Sequence, residues 1–160
     1  ATALEDQTVL AGETTVFRAV EHDGDAQYVW RTVTGEELAV GTTLQTTQSV
    51  TSRYVLEVTD VESGYKAFDT VTVTVKRGII TTLSPNPADR AVAVSYRLAD
   101  DVADAVLRIT NLQGVTVSST RAPVGTGVAT VSLQHLRAGQ YHVQLVVNNV
   151  VEDSKLLIVQ

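Results

Sequence analysis

The sequence predicts an all-β chain made of two tandem antiparallel sandwiches, and three observations carry that prediction. Short runs alternate apolar and polar residues at spacing two, as Val71, Val73 and Val75 do against Thr70, Thr72 and Thr74. Each run therefore has one face for a core and one for water. Turn residues such as Ala11-Gly12-Glu13, Asp23-Gly24-Asp25 and Asn148-Asn149 separate the runs at short intervals, as in sheets built from consecutive hairpins. The apolar residues are mostly Val, Leu and Ala beside abundant Thr, and β-branched side chains suit a pleated, half-buried surface.

Composition narrows the function. A length of 160 residues suits one large sandwich or two units near the lower size limit of domains. With no Cys there is no disulfide framework, no thiolate metal site and no cysteine nucleophile. The net charge of -6, with no Lys/Arg cluster to offset it, repels phosphate backbones, so nucleic acid is not an expected partner. No segment approaches the roughly 20 apolar residues that span a bilayer. The start, Ala1 to Asp6, lacks the charged and apolar regions of a signal peptide, and the absent initiator Met leads us to expect a mature or excised fragment.

In the first half, Thr8 to Leu10 reads as a strand and Thr14 to Val20 as the next, with Thr15, Phe17 and Ala19 facing inward. Tyr28 and Trp30 repeat that spacing after the turn at His22 to Asp25, and Trp30 is the expected core anchor. Gly35 and Gly41 punctuate two further short strands. Arg53 to Asp60 then alternates with Tyr54, Leu56 and Val58 on one face, and Phe68 to Val75 follows a turn at Glu62-Ser63-Gly64. About seven short strands with a Trp on the third is the pattern of an immunoglobulin-like sandwich. The stretch from Tyr54 to Asp60, with Gly64 and the Thr/Val run ending at Val75, resembles the end of the PKD-like and immunoglobulin-like repeats of Bacteroidetes surface proteins.

Lys76-Arg77-Gly78 breaks the alternation, and Leu83-Ser84-Pro85-Asn86-Pro87-Ala88 follows. Proline donates no hydrogen bond to a ladder and holds the preceding residue extended. We therefore expect two domains, 1–77 and 78–160, with the proline segment entering the second as a non-ladder strand. Inward residues recur beyond it: Val92, Val94 and Tyr96; Ala105, Leu107 and Ile109; Val115 and Val117; Ala129, Val131 and Leu133; and Tyr141, Val143, Leu145 and Val147. Asn148-Asn149 suits a tight hairpin turn that pairs Gln140–Val147 with Val150–Gln160.

Four landmarks in this half carry a second resemblance: Leu83-Ser84-Pro85-Asn86-Pro87-Ala88, Ile109-Thr110-Asn111-Leu112-Gln113-Gly114, Leu136-Arg137-Ala138-Gly139-Gln140-Tyr141-His142-Val143 and Lys155-Leu156-Leu157-Ile158-Val159. Taken in this order, Ile79 to Gln160 resembles the type A C-terminal sorting domain of type IX (Por) secretion cargo. Ser84 and Gln140 depart from the residues commoner in that family. The resemblance implies export across the outer membrane, the type IX secretion machinery or outer-membrane surface components as partners, and an extracellular or cell-surface location. It further implies cleavage upstream of the motif, around Lys76 to Thr82, where we expect an accessible linker, followed by attachment to surface glycolipid. The residues expected to carry the sorting motif are Pro85, Asn86, Pro87, Gly114, Gly139, Tyr141 and Lys155.

No catalytic constellation and no cofactor are expected. His22, His135 and His142 lack metal-ligand spacing, and Asp23, Asp25, Asp100, Asp101 and Asp104 read as turn acids because they miss the calcium-loop pattern. Trp30, Tyr28, Tyr54 and Tyr141 read as core, while Tyr65 sits in a turn as a candidate exposed contact. The leading expectation is a non-catalytic immunoglobulin-like spacer or adhesion domain joined to a sorting domain. The alternative is a complete subunit of an extracellular filament or surface layer, assembling as a homo-oligomer through sheet edges, with Ala1 to Gln7 as donor arm.

Overall fold

The computed structural model describes residues 4–160, and among them every regular element is a strand. Contacts divide the chain into two units, Ala1–Val75 and Lys76–Gln160.

The first unit contains β1 (Gln7–Leu10), β2 (Thr14–Arg18), β3 (Ala26–Thr32), β4 (Glu37–Val40), β5 (Thr43–Thr47), β6 (Ser52–Asp60) and β7 (Lys66–Lys76). One sheet has the order β1-β7-β6-β3-β4 and the other is the pair β2-β5. The alternation read from sequence selects the faces: Phe17 and Leu44 of the small sheet meet Trp30, Tyr54, Leu56, Val71 and Val73 of the large one in a single core. Trp30 is fully buried, and its indole N–H donates to the Gly41 carbonyl at 3.0 Å, so its polar atom is satisfied inside the core. The Tyr54 hydroxyl, near the start of β6, accepts from Gln48 Nε2 at 2.9 Å and lies 3.2 Å from Thr46 Oγ1. Two sheets sharing this core, with Trp on the third strand, form an immunoglobulin-like sandwich.

The proposed donor arm is corrected in part. Ala1 to Ala3 lie outside the described residues, but Leu4 donates its N–H to Asp69 Oδ2 at 2.9 Å, and Asp6 Oδ1 accepts the Thr72 N–H at 2.8 Å. With Gln7 already in β1, residues 4–7 are fastened to their own unit and are not a free strand.

The second unit contains β8 (Gly78–Ser84), β9 (Ala91–Leu98), β10 (Ala105–Asn111), β11 (Thr116–Arg121), β12 (Val128–Ser132), β13 (Gly139–Val147) and β14 (Val150–Val159). Its sheets are β12-β9-β8 and β11-β10-β13-β14. The inward residues of β9, β10, β12 and β13 are buried as the alternation predicts. The hairpin turn also holds: Asn148 and Asn149 have φ of 51° and 63°, and Val147 pairs with Val150. Val115 departs from the reading. It lies in the β10–β11 turn and is exposed, because the Asn111 side chain organises that turn and β11 starts one residue later.

The stretch before the prolines is the larger surprise. Residues 78–84 form β8, paired with β9 from Gly78↔Leu98 to Ser84↔Ala93. Gly78 is buried, and a Cβ there would stand 2.6 Å from a methyl of Leu145. The accessible linker expected around Lys76 to Thr82 is therefore absent: only Arg77 lies outside a strand, and a protease would reach this stretch only with β8 displaced. β8 supplies a strand of the sheet β12-β9-β8.

Candidate functional site

The seven expected sorting residues lie on different elements of the second unit, and hydrogen bonding explains several of them. β14 is the edge of its sheet, so alternate residues point backbone groups away from β13. Unpaired groups of this kind invite another strand. Here the proline segment covers them. Asn86 donates from Nδ2 to the Leu156 carbonyl at 3.0 Å, and its Oδ1 accepts the Ile158 N–H at 3.0 Å. One residue pair further on, Ala88 N–H donates to the Ile158 carbonyl at 2.8 Å, and the Ala88 carbonyl accepts the Gln160 N–H at 2.8 Å. The Asn86 side-chain amide thus reproduces the donor and acceptor of a strand residue, and Ala88 provides the main-chain continuation as a parallel bridge to Val159. Pro85 and Pro87, which have no N–H to donate, flank the side chain that does the pairing. Both remain exposed.

The other landmarks converge on the same end of the sheet. Asn111 pairs with Tyr141, Tyr141 with Leu157, and Gly139 with Val159. Ala88, Gly139 and Val159 therefore share one row across three segments. Gly114 closes the β10–β11 turn at φ +85°, a conformation that disfavours a side chain; its N–H donates to the Asn111 carbonyl, while Asn111 Oδ1 accepts from Gln113 and Val115. Tyr141 anchors the start of β13: its ring is buried, and its hydroxyl donates to the Arg137 carbonyl four residues upstream at 2.8 Å. This is the corner contact found at the equivalent strand of immunoglobulin-like domains. Gly114 and Tyr141 accordingly serve the fold, and Gly139 opens β13 opposite Val159.

Lys155 stands apart from that row. It pairs with Val143 and borders an open groove of ≈ 500 Å³ between β8 and β14, shared with Thr82, Leu83 and Asn86. It forms no ion pair among the described residues. Leu156 and Ile158 are 45% and 38% exposed.

Sequence reading missed Asp153, which ties β14 to β8. It sits on the core-facing side of β14, and its Oδ2 accepts the Ile80 N–H of β8 at 2.8 Å while Oδ1 meets Lys76 Nζ at 3.2 Å. The β8–β9 register shifts between Ile80 and Thr82, next to that N–H. Burial pushes the Asp153 carboxyl up, but the N–H groups of Ile80 and Ser154 and the Lys76 ammonium reverse this and hold it below the usual carboxylate range. The available signal was an acid at a core-facing position of an edge strand, a device that discourages strand addition.

Elsewhere, His22 Nε2 lies 3.1 Å from Asp60 Oδ2, and His135 meets the Val117 carbonyl. Asp101 and Asp104 face Arg77 and Arg121. No three His, Cys, Asp or Glu among the described residues are placed to share a metal ion.

Comparison with known proteins agrees with the second resemblance. Residues 82–160 match the family model described as the secretion system C-terminal sorting domain. No curated protein matches the chain. Among solved structures, the dimeric latent PorU of Porphyromonas gingivalis is 13% identical with a TM-score of 0.45, covering 99% of this chain and 20% of that one. A two-domain fibronectin type III segment of chicken tenascin is 12% identical with a TM-score of 0.41, covering 99% and 97%. A three-domain titin structure, I67–I69, is 13% identical with a TM-score of 0.41, covering 99% and 63%, so the chain spans less than two thirds of that protein and far less of PorU. These scores are low, and the fold rests on the sheets described above. Residues 82–160 thus match the family of secretion system C-terminal sorting domains, and such a domain indicates export across the outer membrane to the cell surface or the extracellular space.

Proposed function

We propose that the chain is a non-catalytic surface module: an immunoglobulin-like spacer or adhesion domain carried outward by a sorting domain whose β14 edge, with its Pro85–Ala88 cover, is the surface that the export machinery reads. The observation that supports this is a division of labour among the motif residues. Gly114 is accounted for by its turn and Tyr141 by the core, whereas the side chains of Pro85, Asn86, Pro87, Lys155, Leu156 and Ile158 stay exposed along one edge. Side chains that a core does not need, gathered on one edge, are what a partner can recognise.

The test is a reporter fused to residues 78–160 in a host with type IX secretion, with the reporter assayed outside the outer membrane. Export is expected, and periplasmic retention of a folded fusion overturns the proposal. Lys155→Ala sharpens it, because this side chain has no ion-pair partner among the described residues. Export should fall several-fold while the thermal midpoint stays within the few tenths of a kcal/mol usual for surface changes.

A further inference from the structure

The first unit holds a pocket that the sorting reading leaves unused. It lies where β2 stops at Arg18 while β6 and β7 continue, and it encloses ≈ 330 Å³, enough for one large side chain and the backbone around it. Val20, Val58 and Ala67 supply apolar wall. Tyr65 and Phe68 also line it and remain 72% and 62% exposed. Aromatic rings are the costliest side chains to leave in water, and these two lie outside the core in a chain that is only 5% aromatic.

Charge decides what the pocket admits. Four carboxylates line it, those of Glu21, Asp23, Asp60 and Asp69, with no Lys or Arg among the lining residues. Asp60 is fixed in place: Oδ1 accepts the N–H and hydroxyl of Ser63, and Oδ2 meets His22. Asp69 gives Oδ2 to the Leu4 N–H, and its Oδ1 has no partner among the described residues. Glu21 and Asp23 form no ion pair there. An anion is repelled by this surface. A bare metal ion is unsuited as well, since no three of these groups converge on one point and multidentate oxygen coordination is what such ions require. What fits is an extended organic cation with an apolar stem. A planar guanidinium stacks on aromatic faces and donates to carboxylates through several N–H groups at once.

We infer that this pocket docks an arginine side chain presented by a partner protein, held between the Tyr65 and Phe68 rings and the Asp69 and Asp23 carboxylates. The inference is independent of the sorting role, because all lining residues lie in the first unit.

The test is an NMR titration of the full chain with N-acetyl-arginine amide. Saturable shifts are expected at the amides of Val20 to Asp23 and Val58 to Asp69, with weaker binding at higher salt. Phe68→Ala and Asp69→Asn should each weaken binding about two- to five-fold. Asp23→Asn, in an exposed loop, repeats the charge test without touching a strand. Equal binding of N-acetyl-norleucine amide, shifts with methyl mannoside in place of the arginine compound, or no shift at these amides would each overturn the inference.

Discussion

The two units run through the same succession of seven strands yet place the first strand differently. In the first unit β1 joins β7, so the last strand has a main-chain neighbour on either side. In the second, β8 joins β9 on the opposite sheet, and β14 is left as an edge that is covered by one asparagine side chain and one alanine backbone. The cores differ as well. Phe17 packs against Trp30 and Tyr54 with ring centroids 6.3 and 6.4 Å apart, whereas the second core is aliphatic, and its tyrosines Tyr96 and Tyr141 direct their hydroxyls to the Pro123 and Arg137 carbonyls. A sandwich can therefore close its open side with a strand or with side chains. The second solution leaves recognisable groups at the surface.

The largest expected effect breaks the aromatic core. Trp30→Ala removes a fully buried ring and its hydrogen bond, and should destabilise the first unit by about 3–5 kcal/mol, read as lost hydrogen-exchange protection in β3, β6 and β7. Next is the inward acid of β14. Asp153→Ala strands the Ile80 N–H and the Lys76 ammonium and should cost about 1–3 kcal/mol, or roughly 5–20 °C in the thermal midpoint of a unit this size.

Asp153 and Asp60 also set acid limits on their units. Folding lowers both pKa values, that of Asp60 to about 2 through the Ser63 N–H, then His22 and the Ser63 hydroxyl. As pH falls the unfolded chain binds these protons first. The stability they contribute is complete above about pH 5 and declines toward the folded pKa. Asp60→Asn should flatten the acid limb of the first unit and Asp153→Asn that of the second, as followed by melts between pH 2 and 6, about the range over which carboxylates titrate.

Smaller effects separate cover from core. Asn86→Ala deletes two partly solvated hydrogen bonds and should cost about 1–2 kcal/mol, with faster exchange at Ile158. Asn86→Asp keeps the acceptor for Ile158 but cannot donate to Leu156, so it should lie between the two. Tyr141→Phe, which loses only the contact to Arg137, should cost about 1 kcal/mol.

Much of this architecture was readable from the sequence, because a half-buried strand must alternate. Trp30, Leu56, Val94, Leu107 and Val143 are buried where their spacing put them. The Asn148-Asn149 turn was readable because few residues adopt positive φ. The failures share a cause. β8 reads as linker because Gly78, Thr81 and Thr82 do not alternate with the isoleucines, and the reason for the glycine is a neighbour 67 positions away, Leu145. The Pro-Asn-Pro motif could be recognised as a likeness, but its physical role required the strand from the far end of the unit. Asp153 is not legible in the sequence because its partner is a backbone N–H, which no side-chain pattern advertises.

The bond between Asn86 and Ile158 spans 72 positions. Contacts this remote form late and slow the folding of a chain, and the second unit cannot fasten its clasp until residues 156–160 have been synthesised. The same clasp makes those last residues structural for the segment that opens the unit: removing them frees Asn86 and Ala88 together, so a short truncation at one end loosens the other.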